Sequence, residues 1–310
     1  MKMKNILILC RRDDREAYDT RKSMLDGMSK LQTKAMYFGM DYEDLVFLYD
    51  GKKLRVTDSV SGRDVADFDA IFLIGWFKTK ALDDVARAVA HYAQHQGIPF
   101  SNSEAYDGRS FTKLSQCIIA ALNDVPVTPF VFCMDKEVLA RVIIAQQRTE
   151  PYIVKAIAES RGNSNYLVHS TDELREVLNQ PSEKPLNFIA QEYIPNDGDY
   201  RILVMGESVR LVIHRQAQAG SHLNNTSKGG SAAVVLLDNL PSSVIDASLR
   251  MAKLLKREVT GVDMVCHKET AEYYFLEANN MPQLSTGSNV PKKLAVLDEY
   301  LDELAHKKVE

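Results

Sequence analysis

Val262-Asp-Met-Val-Cys-His267 and, five residues further on, Tyr273-Tyr-Phe-Leu-Glu-Ala-Asn279 decide the fold of this chain. Both runs are rich in β-branched and aromatic residues and the connection between them is polar, so the pattern predicts a hairpin. Asp263 then falls opposite Glu277. Residues i and i+2 of a strand share a face, so Glu277 and Asn279 point the same way, and Leu276 and Ala278 are expected in the other layer. Two carboxylates facing each other across a ladder repel unless a cation lies between them. Three oxygen donors suit magnesium, which takes oxygen ligands in octahedral geometry and is commonly held by one or two carboxylates plus substrate phosphates. A solvent-facing acidic hairpin accounts for these residues equally well when they are taken alone.

The chain has 310 residues, 45% of them hydrophobic and 26% charged, enough for two or three compact units with a large core. A net charge of −4 gives no electrostatic footprint for nucleic acid or an anionic membrane surface, so neither is expected as a partner. Cys10, Cys117, Cys133 and Cys266 show neither a Cys-x-x-Cys pair nor zinc-ligand spacing and read as reduced residues of a cytoplasmic protein. The apolar run at 6–10 is too short for a signal segment, and no later run approaches a membrane span.

Residues 5–10 form a continuous apolar strand of the kind that opens a parallel sheet, followed by a helix over 18–31. Two short strands around Asp50-Gly51, a buried strand at 69–75, a helix over 79–96 and a strand at 97–100 complete a small α/β unit over 1–105. That unit lacks a Gly-x-Gly-x-x-Gly loop, which argues against a dinucleotide site. Ser110 is placed to cap a helix through Leu114, Ile118, Ile119 and Leu122, with Lys113 in its first turn. A cation there is unfavourable beside the helix dipole unless it meets an anion; a solvated lysine is the simpler account.

Residues 135–147 read as a helix, and Pro126 and Pro129 bracket the strand entry before it. On the strand over 151–157, Lys155 shares a face with Ile153 and Ile157, and the polar loop 159–164 after it is either a phosphate-reaching loop or an ordinary hairpin turn. A short helix starts at Thr171, and an apolar strand over 188–195 ends at a proline. Strands over 200–205 and 209–215 bring Arg201 and Arg215 close together, and two neighbouring guanidiniums call for shared anions. Residues 216–231, which include Asn225, are too polar for core and too long for a plain connector, as binding loops are. Helices over 242–256 and 294–306 complete the pattern.

Taken in order, these features resemble the ATP-grasp superfamily, most closely its RimK-like carboxylate–amine ligases. The likeness is densest at Gln191-Glu-Tyr-Ile, Asp199-Tyr-Arg201, His214-Arg215, Asn225, Gly229-Gly230, Gly261-Val-Asp263 and Glu277-Ala-Asn279, and covers about residues 95–285. The fold so implied is α/β of the α+β ATP-grasp kind. An N-terminal α/β domain (1–105) would precede a lid subdomain (106–187) and a C-terminal subdomain with the metal site (188–310), the last two clasping ATP. Lys113 and Lys155 would contact the nucleotide phosphates, the backbone of Gln191, Glu192, Tyr193 and Ile194 would meet adenine, and Asp199 the ribose. Arg201 and Arg215 would stabilise an acyl phosphate, with Asn225 beside the transferred phosphate. Asp263, Glu277 and Asn279 would hold two magnesium ions, with manganese as a substitute.

The implied reaction joins a carboxylate donor to the amine of an amino acid, a peptide or a protein tail; a homo-oligomer is one option for the assembly. A protein that binds ATP without chemistry is the rival reading, and the two arginines argue against it. His214 alternates to the face opposite Arg215 and reads as packed or exposed. RimK-like ligases usually follow Glu-x-Asn with Ser/Ala-Pro-Gly, whereas this chain has Asn280-Met-Pro-Gln283, so acceptor specificity does not carry over.

Overall fold

The computed structural model describes residues 3–12, 20–77, 79–108, 111–145, 151–157, 164–181, 186–218, 224 and 230–307. The chain opens with β1 (Asn5–Cys10), α1 (Thr20–Met28), β2 (Met36–Asp41), β3 (Leu45–Tyr49), β4 (Leu54–Asp58), β5 (Ala70–Ile74), α2 (Lys80–His95), β6 (Phe100–Ser101) and α3 (Glu104–Asp107). A parallel sheet of order β2-β1-β5-β6 forms its centre, and β3 and β4 pair as a separate hairpin. The unbroken apolar run of β1 is explained by cover on both faces. Ile6 and Ile8 pack with Met24 and Met28 of α1, and Leu7 and Leu9 with Ala86, Val89 and Ala93 of α2.

Next come α4 (Lys113–Leu122), β7 (Phe130–Phe132), α5 (Lys136–Ala145), β8 (Tyr152–Ala156), β9 (Asn165–Val168), α6 (Thr171–Asn179) and β10 (Phe188–Glu192). An antiparallel sheet of order β7-β10-β8-β9 buries Tyr152, Val154, Phe188 and Ala190 against Leu139, Ile143, Leu174 and Leu178 of α5 and α6. The expected division at 187/188 therefore moves, because β10 is an interior strand of this second sheet rather than the first of the next unit. The expected start at 106 moves too: Ala120 of α4 and Val125 pack with Ile202, Val262 and Phe275 of the third sheet. Thr112, not Ser110, occupies the N-cap of α4, and Ser110 lies outside the described residues.

The remainder is β11 (Asp199–Met205), β12 (Ser208–Gln216), β13 (Ser231–Val235), α7 (Ser242–Leu255), β14 (Val259–Cys266), β15 (Tyr273–Asn279) and α8 (Val290–Ala305). The third sheet is antiparallel, of order β13-β12-β11-β14-β15. One face carries Ile202, Val204, Val212, Val262 and Met264 against Val244, Met251 and Leu255 of α7. Truncating a fully buried member such as Ile202 to alanine would cost about 2–5 kcal/mol. The opposite face is divided along its length. Leu203, Met205 and Val259 share a core with Ile6, Ile8, Phe72 and α8, so the N-terminal sheet and the third sheet close over one apolar layer. The other end of that face holds the charged residues. No helix among the described residues is long and apolar enough to cross a membrane.

Candidate functional site

Strand register builds the site. Arg201 pairs with Asp263, Asp263 with Glu277, Asp199 with Arg215, and Gly261 with Asn279, so all six polar side chains leave one face at one end of the third sheet. The hairpin between β14 and β15 closes as expected, but β15 carries a bulge. Asp263 pairs with Glu277 while Met264 pairs with Phe275, which leaves Leu276 as the extra residue. Phe275 and Ala278, not Leu276 and Ala278, therefore pack into the α7 layer, and the strand bends beside the site.

The cation facing Asp263 is already present: it is arginine. Arg201 grips Asp263 with two parallel bonds, Nε to Oδ1 at 2.9 Å and Nη2 to Oδ2 at 2.8 Å. Arg215 grips Asp199 in the same way at 2.6 and 2.8 Å, and its Nη2 also lies 3.0 Å from Asp263 Oδ2. All four groups are buried, two of each sign. Burial pulls the Arg215 guanidinium down, but Asp263 and Asp199 together hold it above its ordinary range. Burial raises Asp199 despite Arg215, whereas the two guanidiniums outweigh burial at Asp263 and hold its carboxyl low. The two arginines thus share an anion as the strand pattern predicts, and that anion is Asp263.

Glu277 is more open. Its side chain is 31% exposed, Asn279 Nδ2 donates to it at 3.1 Å, and Lys113 Nζ lies 3.9 Å from Oε2. Asn279 Nδ2 also lies 3.2 Å from Asp263 Oδ2 and so ties the two carboxylates together. Lys155 projects from the second sheet on the face opposite its α5–α6 core; burial holds its ammonium below the ordinary range, with the Glu277 carboxylate opposing. Gln191 turns its side chain inward, donating to Thr128 Oγ1 at 2.8 Å, so only its backbone could meet a ligand. The amides of Glu192 and Tyr193 donate to the carbonyls of Pro129 and Pro151, and Ile194 is buried just beyond them. His214 stacks on Tyr200, ring centroids 4.6 Å apart, on the opposite face as its alternation predicts. Asn225 and residues 159–163 lie outside the described residues.

Two glycines make this geometry possible. A Cβ on Gly261 would lie 2.8 Å from Pro282 Cβ and 3.2 Å from Arg201 Cδ, so only glycine lets Arg201 cross β14 to Asp263. Gly198 has φ +134° and a Cβ there would lie 2.3 Å from the Arg215 carbonyl, so it allows β11 to start beside the end of β12. Lys293 carries no local signal in the sequence. It is buried in the first turns of α8, and its Nζ donates to the carbonyls of Gln283 and Thr286, both at 2.6 Å, so it pins the segment that departs from the Ser/Ala-Pro-Gly pattern. Burial takes its pKa down to about 8, with Arg201 adding to the effect.

Among the described residues, no group of three or more His, Cys, Asp and Glu could hold a metal ion by itself. Asp263, Glu277 and Asn279 still fit magnesium as a donor set of hard oxygens. Such an ion would need further oxygens from a bound ligand, and Asp263 would have to yield an oxygen now held by guanidinium.

The whole chain has the fold of solved ATP-grasp ligases. It matches the ATP-grasp ligase PsnB, solved with a phosphomimetic variant of its minimal precursor, Mg and ADP, at a TM-score of 0.69 and 15% identity over 98% of this chain and 100% of that one. A RiPP-associated ATP-grasp ligase from Chryseobacterium gregarium, solved with ADP and a leader and core peptide, matches at a TM-score of 0.65 and 15% identity over 99% of each chain. The fold is therefore that of the ATP-grasp ligases. Residues 112–296 match the family model of the RimK-like ATP-grasp domain, more than half of the 310-residue chain, and the chain belongs to that family of ligases. Among its relatives are probable alpha-L-glutamate ligases of Trichodesmium erythraeum, 27% identical over 91% of this chain and 92% of that one, and of Xanthomonas euvesicatoria pv. vesicatoria, 29% identical over 72% and 73%.

Proposed function

We propose that the chain is an ATP-dependent carboxylate–amine ligase that forms an amide through an acyl phosphate and releases ADP and phosphate. The observation that carries this reading is the convergence of Lys113, Lys155, Arg201 and Arg215 with Glu277, Asp263 and Asn279 around one end of the third sheet. Transfer of a phosphoryl group needs little covalent help from a protein and much positioned positive charge. A substrate carboxylate oxygen attacks the γ-phosphorus, and the bond to the β-phosphate oxygen breaks to leave ADP. The amine nitrogen then attacks the acyl carbon and loses a proton, and phosphate departs as the amide forms.

In this reading Lys113 and Lys155 hold the phosphates, and the backbone from Gln191 to Ile194 meets adenine through carbonyls and the Ile194 amide. Asp199 contacts ribose from beside Arg215. Arg201 and Arg215 face the acyl phosphate, with Asn225 next to the transferred group. Asp263, Glu277 and Asn279 hold magnesium, two ions in the family's manner, with manganese as a substitute; bound there it neutralises charge on the phosphate oxygens. Cysteines held as thiols rather than disulfides support a cytoplasmic setting. The names of the relatives favour glutamate as one substrate, and the peptide complexes of the fold neighbours favour a peptide or protein acceptor.

The test is incubation with ATP, magnesium and a panel of amino acids and peptides, with phosphate release and product mass scored together. Matched phosphate and a condensed product in one arm are expected. Tight nucleotide binding with no phosphate release in any arm would favour the non-catalytic reading instead.

A further inference from the structure

Ala278 lies between Glu277 and Asn279 on β15, the edge strand of the third sheet, so its own outward N–H and carbonyl face no strand of that sheet. Both are taken by buried side chains. The Ala278 N–H donates to Gln116 Oε1 at 2.8 Å, and the Ala278 carbonyl accepts from Arg257 Nη1. Each of those side chains is itself fixed. Gln116 Nε2 donates to the Phe111 carbonyl at 3.2 Å, which sets which end of the amide faces Ala278. Arg257 Nε is 2.8 Å from Glu104 Oε2, and Glu104 Oε1 accepts from Asn280 Nδ2 at 3.3 Å. Gln116, Arg257 and Glu104 are 5%, 3% and 1% exposed, so this chain of contacts is closed to water. Gln116 also stands one helical turn after Lys113, which faces Glu277, so one face of α4 registers both residues on β15.

We infer that Gln116 and the Glu104–Arg257 pair are positioning residues: they lock the peptide groups on either side of Ala278 and so set the Glu277 carboxylate and the Asn279 amide for a divalent cation. The inference rests on the magnesium reading above. Satisfying buried backbone groups would by itself cost nothing in function to remove. A positioning role differs because site geometry must hold to about 0.5 Å, and loss of a group that orients a metal ligand typically costs 10–100-fold in metal affinity.

The test measures ADP binding by calorimetry on the full chain, in EDTA and across a magnesium series. Gln116→Met should raise the magnesium needed for half-maximal enhancement about 10–100-fold, with ADP affinity in EDTA unchanged. Arg257→Lys keeps the charge beside Glu104 but removes the second donor arm, and should shift the magnesium requirement independently should Gln116→Met not fold. Lower melting temperatures with an unchanged magnesium requirement in Gln116→Met and Arg257→Lys, while Glu277→Ala does shift it, would overturn the inference alone. No shift in any of the three, Glu277→Ala included, would overturn the magnesium reading and this inference with it.

Discussion

Replacing Arg215 by methionine separates the structural role of the buried charges from their chemical one. The wild-type side chain is 5% exposed, makes two bonds to Asp199 and one to Asp263, and belongs to a set of two positive and two negative groups. Arg215→Met leaves Asp199 buried without its partner, a loss of about 3–5 kcal/mol. At about 2 °C per kcal/mol for a chain of this size, that is roughly 6–10 °C in melting temperature. Turnover should fall about 10²-fold or more, the scale for one preorganised charge donor, and equivalent to about 2.7 kcal/mol in the barrier. The two losses part company in the double variant Asp199→Leu, Arg215→Met. There the remaining pair, Arg201 with Asp263, is balanced, and replacing a buried ion pair by apolar groups is commonly neutral in stability. Scanning calorimetry should find the double variant back within a few degrees of wild type, while kcat at saturating ATP, measured by phosphate release on a substrate from the panel, stays low. Recovery of kcat together with stability would show that Arg215 only holds the fold and would remove it from the chemistry.

Glu277→Ala should leave the melting temperature without ligand within about 2 °C, since the partly exposed carboxylate makes only a long contact to Lys113 and contributes little to stability, and should abolish the extra stabilisation that magnesium adds to ADP in a thermal-shift assay. Gly261→Ala should destabilise by about 1–3 kcal/mol and weaken the Arg201–Asp263 pair, because its Cβ enters space held by Pro282 and Arg201; wild-type urea midpoint and kcat would refute this. Lys293 has a folded-state pKa lowered from 10.5 to about 8, so the cost of burying its charge is carried in full below about 8. Between about 8 and 10.5 the unfolded chain holds a proton that the folded chain has lost, so stability from this group rises with pH. Lys293→Met should remove that rise, read as the difference in urea unfolding free energy between pH 8 and 10 in the two proteins.

Much of the site was legible because strand alternation is local. The period of two places Glu277 with Asn279 and His214 away from Arg215, and the polar five-residue connection fixes the hairpin that sets Asp263 against Glu277. The same rule failed at Leu276, since a bulge inserts a residue without any mark in composition. Element identity was also readable for β1, α2, α7 and α8, where apolar periodicity is long and strong. Unit boundaries were not. β10 resembles any apolar strand, and only its pairing with β7 and β8 assigns it to the second sheet.

The least legible feature is the one with the largest chemical consequence. Carboxylate repulsion across β14 and β15 implies a cation, but composition cannot say whether an ion or a guanidinium supplies it. Arginine does so here, because β11 lies between β12 and β14 and carries Arg201 into register with Asp263. A magnesium ion at Asp263 would therefore compete with Arg201 and Arg215 for the same two oxygens. Each oxygen given up to a metal would free a guanidinium donor facing the site. Under the ligase reading, one exchange thus both completes the metal site and releases the charge that an acyl phosphate would need.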